Sequence, residues 1–212
     1  MVLYMDFYEV LERRRTYRDF SAREVSDEIL HRIVRAAFKA PTNDHLRQLE
    51  FVVVCGRENI AKVIAPLSKN MEKFKTLVAE VDESGDRDKM EMFADALPKQ
   101  QKMLMESGLL ILPFFRQLTW PLLKPAEQSS LNYFASAWCA VENMLLAAAA
   151  EGLGAVFHIP VGDEAGKIKE IVHSPEGYEL ACLLTVGYPA EGAFLPRQKV
   201  IHAEDRIHQG AW

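Results

Sequence analysis

Four arginines, Arg13, Arg14, Arg15 and Arg18, gather around Thr16 where a short amphipathic helix should end. Cations and a hydroxyl converging on one point are the donor set that a phosphate monoester needs. In an extended segment, residues two apart point the same way. Arg14, Thr16 and Arg18 would then project to one side, and Arg15 and Tyr17 to the other. That layout suits a ligand lying along the strand, with an anion at one end and a polar ring at the other. Farther on, Ala40-Pro41-Thr42-Asn43 offers a small polar loop able to lie flat on an aromatic ligand. Gly152 and Gly154, either side of Leu153, allow a sharp turn and a close backbone approach. Arg197 and Lys199, two apart after Gly187-Tyr188-Pro189, could add cations to the same phosphate. Alone, each pattern also describes a solvated surface, a plain turn or a helix cap.

The elements that must position these residues are legible in outline. Asp6 is an N-cap for a helix with Phe7, Val10 and Leu11 on one face. Ser26 caps the next, with Val25 and Leu30 spaced as a hydrophobic staple and Ile29, Ile33, Ala36 and Ala37 as its buried stripe. Phe51 to Cys55 is apolar throughout and reads as a strand buried on both faces. Residues 57–106 read as helical and charge-rich, broken at 82–86. The methionines and phenylalanines there (Met71, Phe74, Met90, Met92, Phe93, Met103, Met105) read as core packing, with a lid over a pocket as the sharper alternative. Further strands are expected at 109–112, 155–159 and 180–186, a loop at 121–130, a long apolar helix at 129–151 ended by a left-handed Gly152, and a short helix at 165–172. The tail from 190 shows little periodicity and is expected to dock, on a partner subunit if one is present. One α+β domain over 1–212 is the simplest organisation.

Composition narrows the function classes. A net charge of −5 argues against general nucleic-acid binding and makes the arginine cluster a local feature. Cys55, Cys139 and Cys182 lie far apart and read as small core hydrophobes in a reducing cytoplasm. The first residues lack a signal-peptide pattern, and no run approaches the roughly 18 apolar residues of a membrane span. The histidines have no recognised metal spacing, so no metal is expected. No GxGxxG follows a strand, which speaks against a Rossmann nicotinamide site.

Taken in order, the motifs resemble the nitroreductase family of FMN-dependent oxidoreductases over most of the chain outside 57–106. Arg14-Arg15-Thr16-Tyr17-Arg18-Asp19-Phe20 matches that family's Arg-Arg-Ser-x-Arg-x-Phe; Ala40-Pro41-Thr42 matches Ala-Pro-Ser; Gly152-Leu153-Gly154 and Gly187-Tyr188-Pro189 match Gly-Leu-Gly and Gly-Tyr-Pro. The resemblance implies an α+β fold with a mostly antiparallel sheet between helices, a variable helical insert at about 57–106, and an intertwined homodimer with FMN at the subunit interface. By that likeness Arg14 and Thr16, with Arg197 or Lys199, hold the phosphate, and Arg15 is counted among the cofactor-binding residues. Arg18 reaches the N1–O2 edge, where a fixed cation would stabilise the negative charge that reduction builds. Pro41, Thr42 and Asn43 pack on the ring from the partner chain, and Phe157, His158 and Ile159 lie beside it. The resemblance further implies NADH or NADPH as a transient donor, an electron-poor small-molecule acceptor such as a nitroaromatic or quinone, and no catalytic side chain. Enoate reduction, reductive dehalogenation and flavin binding without turnover are the alternatives.

Two departures stand out. The family's Asn-x-Gln-Pro-Trp is replaced by the stretch from His45 to Leu49, where Arg47 is a candidate flavin or substrate ligand. Near the expected N5 donor, Pro160 has no N–H, so the donor comes from His158 or Ile159 or is absent.

Overall fold

One strand, β2 (Leu109–Arg116), is apolar at nearly every position, and successive side chains serve two different cores. Leu109, Ile111 and Phe115 face one cluster, while Leu110, Leu112 and Phe114 face the other. A strand covered on both sides needs no polar alternation, hence its unbroken apolar run. The computed structural model describes residues 5–45, 47–70, 86–117 and 131–211. The expected loop at 121–130, and Met71 and Phe74, lie outside them.

Among the described residues there are six helices: α1 (Phe7–Arg13), α2 (Asp27–Ala37), α3 (Arg57–Ile64), α4 (Arg87–Glu106), α5 (Leu131–Ala150) and α6 (Glu164–Ile171). The strands are β1 (Leu49–Val54), β2, β3 (Gly154–His158), β4 (Tyr178–Leu180) and β5 (Leu183–Gly187). They form an antiparallel sheet in the order β1-β2-β5-β3, with β4 also paired to β2. α2 and α5 supply the first core cluster, through Ile33, Ala37, Ala137, Val141 and Met144. α3, α4 and α6 supply the second, through Val63, Leu104 and Ile168. This is an α+β architecture with helices on both faces of the sheet.

Several local expectations hold. Asp6 accepts from the Tyr8 amide and Ser26 from the Ile29 amide, each filling an N-cap role. Gly152 has φ +73 and closes α5 in the left-handed region. Others need correction. β1 is an edge strand: Leu49 and Phe51 meet the first cluster and Val52 and Val54 the second, so both faces are covered as expected, but Phe51–Val53 are only half-buried. The single strand expected at 180–186 is two, because the register steps by one residue: Phe114 pairs with Leu180, but Ile111 pairs with Leu184. The step lies opposite Pro113, which has no N–H to give a ladder. Cys182 is buried, and burial pushes its thiol up to about 12, whereas Cys55 and Cys139 are exposed. Residues 132–150 of α5 are long and apolar enough to cross a membrane by length and composition, contrary to the sequence reading. Here that helix packs Ala140, Met144 and Ala148 into the core.

The segment after α1 is extended and laid against the sheet. Thr16 forms a parallel bridge with Ala155, and Phe20 an antiparallel one with Pro189. The Tyr17 amide donates to the Ala155 carbonyl at 3.1 Å and the Ser21 amide to the Tyr188 carbonyl at 2.8 Å. Gly154 permits this approach, since a Cβ there would stand 2.6 Å from Tyr17 Cβ. Gly154→Val should therefore cost roughly 1–3 kcal/mol and lower the melting temperature by roughly 2–12 °C. An unchanged melting curve would show that Tyr17 yields without loss.

Candidate functional site

The extended segment places its side chains at two adjoining cavities. The first, of about 160 Å³, is lined by Arg15, Thr16, Arg18, Met92, Pro196, Arg197 and Gln198. Its chemistry is cationic and hydroxylic. Arg15 Nη2 donates to the Pro196 carbonyl at 2.6 Å, which pins the guanidinium against the tail. Arg197 is exposed and is paired with Asp88 of α4, Nη2 standing 2.6 Å from Oδ1. The second cavity, of about 450 Å³, shares Arg18 and Met92 with the first. It is otherwise largely apolar, walled by Phe93, Leu97 and Met103 of α4 and by Val156 and Phe157 of β3. His158, Ile159 and Val161 continue that wall, and Gln100 adds a polar group.

Charge at the junction is compensated inside the chain. Arg18 Nη1 lies 2.9 Å from Asp95 Oδ2, and their side chains are only 9% and 4% exposed. Lys99 Nζ stands 2.5 Å from both Asp95 and Asp19, and Lys102 lies 3.9 Å from Asp19. Burial alone would lower the Lys99 pKa. Its hydrogen bonds to Asp19 and Asp95 outweigh that and hold it above the ordinary lysine value. The network ties α4 to the arginine segment, fixing the wall shared by the two cavities.

The expected site residues fall into two groups. Arg15, Thr16, Arg18 and Arg197 meet at the cationic cavity, and Arg18, Phe157, His158 and Ile159 at the apolar one. Arg14 is half-buried and faces Glu142 of α5 at 3.8 Å, so the two-residue alternation does not bring it beside Thr16. Lys199 pairs with Asp86 at 3.2 Å and is not in either lining. Pro41, Thr42 and Asn43 sit beyond α2, where the Asn43 amide donates to Ser136 Oγ of α5 at 2.8 Å. They line neither cavity of their own chain. Arg47 is exposed and left-handed, with φ +48, and its amide donates to Thr42 Oγ1 at 3.3 Å. His158 is buried, with Nε2 3.0 Å from Glu164 and Nδ1 2.6 Å from Gln100.

Sequence reasoning passed over Asp95, Lys99, Gln100 and Glu164. One signal was present. Met92, Phe93, Ala96, Leu97 and Met103 follow helical spacing, and Gln100 interrupts that apolar stripe. A lone amide in such a stripe marks a polar group that needs a partner.

Comparisons with known proteins bear on the fold and the family. The chain is 29% identical over 193 residues to an iodotyrosine deiodinase from Haliscomenobacter hydrossis, covering 90% of this chain and 82% of that protein. It is also 29% identical over 210 residues to a putative NADH dehydrogenase/NAD(P)H nitroreductase from Methanothermobacter thermautotrophicus, covering 98% and 88%. The crystal structure of oxidized iodotyrosine deiodinase bound to FMN and 3-iodo-L-tyrosine shares the fold, with a TM-score of 0.72 at 22% identity over 98% of this chain and 100% of that one. The model of the nitroreductase family matches residues 11–188, a span that holds both cavities except for their tail residues. The chain belongs to the nitroreductase family.

Proposed function

We propose that this protein is an FMN-dependent oxidoreductase that passes reducing equivalents from NADH or NADPH to an electron-poor small molecule. The observation that carries the reading is the shared wall of the two cavities. A cationic, hydroxyl-bearing pocket opens through Arg18 and Met92 onto a larger apolar one. That sequence of chemistries fits a phosphate monoester joined to a flat aromatic ring. When bound, FMN would supply the hydride-accepting and hydride-donating centre.

The chain's residues bind, orient and exclude water. Arg15, Thr16 and Arg197 would hold the phosphate, with Asp88 presetting Arg197. Arg18 would bring a cation to the ring's N1–O2 edge, held in place by Asp95. Phe93, Leu97, Val156 and Phe157 would keep water from the ring. We assign the complete site to a homodimer. Pro41, Thr42 and Asn43 line neither of these cavities in their own chain, so a role on the ring calls for a second copy. Exposed Phe7 and Leu11 on α1, and Phe134 and Ile159, offer apolar surface for that pairing. A cytoplasmic location fits the three thiols.

Reductive dehalogenation is a second reading, favoured by the likeness to iodotyrosine deiodinases. Among the described residues, Arg18 is the only Asp, Glu, Lys or Arg lining the apolar cavity, and Asp95 engages it. That lining suits a neutral acceptor better than a zwitterionic amino acid. The test is anaerobic mixing of the FMN-loaded protein with NADPH and then NADH. Bleaching of the flavin followed by reoxidation with a nitroaromatic is expected. Reoxidation by 3-iodo-L-tyrosine with iodide release would select the second reading. A flavin that neither donor bleaches would make the protein a flavin binder without turnover.

A further inference from the structure

Arg18 brings less charge to the cavity wall than a guanidinium alone would. Its Nη1 lies 2.9 Å from Asp95 Oδ2, and with side chains only 9% and 4% exposed the pair is weakly screened by water. The other carboxylate oxygen, Asp95 Oδ1, stands 2.5 Å from Lys99 Nζ, which also reaches Asp19 Oδ2 at 2.5 Å. Both oxygens of Asp95 thus face groups that can only donate, which leaves no place for a carboxyl proton. The run Arg18, Asp95, Lys99, Asp19 sets two cations against two carboxylates and sums to zero. Lys102 lies farther out, half exposed and shared between Asp19 at 3.9 Å and Glu106 at 3.7 Å. Arg18 lines both cavities, whereas Asp95 lines neither. Asp95 therefore acts on a ligand there through Arg18 and through space.

We infer that Asp95 is a positioning residue that holds Arg18 at the ring's N1–O2 edge and at the same time offsets its charge, so that the bound flavin is a stronger reductant than an uncompensated arginine would leave it. The inference rests on the FMN reading above. Reduction builds negative charge at that edge, and a cation there stabilises it. A buried carboxylate directly behind the cation takes part of that stabilisation back. The guanidinium keeps its N–H donors and its orientation, but the net field at the ring is that of a dipole and not of a full charge. The arrangement gives up some ease of reduction by a nicotinamide and gains driving force toward an acceptor that takes electrons reluctantly.

Anaerobic reduction of the FMN-loaded protein in equilibrium with a reference dye reads the midpoint potential and tests the inference. Asp95→Asn keeps an acceptor for Arg18 and removes the negative charge. It should shift the equilibrium toward reduced flavin by roughly 10- to 30-fold, about 30 mV per tenfold for a two-electron couple. Asp19→Asn should shift it the same way by less, since Asp19 meets Lys99 and not Arg18. Lys99→Gln leaves the run with one carboxylate in excess and should shift the equilibrium toward oxidised flavin. Lys199→Gln, which alters an exposed pair with Asp86 outside both cavities, should leave the midpoint unchanged. The opposed signs separate charge from structure, because a loosened wall would move all three variants of the run in one direction. An unmoved midpoint in Asp95→Asn, or a shift of Asp95→Asn and Lys99→Gln in the same direction, would overturn the inference and leave the FMN reading in place. A wild-type protein that takes up no FMN would overturn both. If Asp95→Asn fails to fold, Asp19→Asn against Lys99→Gln carries the same test of sign.

Discussion

Asp95→Ala should cost about 3–5 kcal/mol of folding stability, the loss expected when one partner of a buried ion pair is removed. The side chain is 4% exposed and contacts two cations, Arg18 at 2.9 Å and Lys99 at 2.5 Å. Truncation leaves the Arg18 guanidinium buried without its carboxylate, and Lys99 with Asp19 alone. Asp95→Asn keeps the shape and one acceptor, so its loss should be similar in kind and smaller in size. The measurement is urea unfolding at neutral pH, where the network is complete. Folding raises the Lys99 pKa, so its contribution is fully present below the ordinary lysine pKa and is lost only as pH climbs through the raised value. A midpoint unchanged in Asp95→Ala would show that water reaches Arg18 and that the wall shared by the cavities is not held by this pair.

Arg15→Ala should weaken FMN binding by roughly 10- to 150-fold, the equivalent of one charge-assisted hydrogen bond of about 1.5–3 kcal/mol. Arg15 lines the cationic cavity, and its guanidinium is braced by the Pro196 carbonyl, so little ordering remains to be done when an anion arrives. Lys199→Ala provides the contrast. Lys199 faces Asp86 outside the cavity and should leave affinity nearly unchanged. Fluorescence titration of the two variants separates them; equal losses would mean that the tail rearranges around the ligand and that cavity membership here does not report on binding.

The framework of this protein was readable because its signals are local. Caps at Asp6 and Ser26, the glycine ending α5 and the apolar run of β2 each depend on a few neighbouring residues. The alternation put Thr16 and Arg18 on one side, and they do line one cavity, but it put Arg15 on the other, and Arg15 lines that same cavity. The site was not readable where partners are distant. Asp95 sits in a helix dense with charge, and nothing near it in sequence separates a solvated carboxylate from one clasped by Arg18, 77 residues away. Gln100, His158 and Glu164 belong to a helix, a strand and a second helix, so their alignment exists only after the sheet has closed. The alternation rule placed Arg14 beside Thr16 because it assumed a strand beginning at Arg14. The extended bridge begins at Thr16, and Arg14 is still the last turn's cap, turned toward α5.

The cationic cavity is closed by chain segments 181 residues apart, with Arg15 on one side and Pro196 on the other. A polypeptide emerging from the ribosome therefore presents the arginine segment long before the carbonyl that braces it exists outside the exit tunnel. On the FMN reading, the coenzyme's phosphate would meet its complete cradle only after both segments have been made.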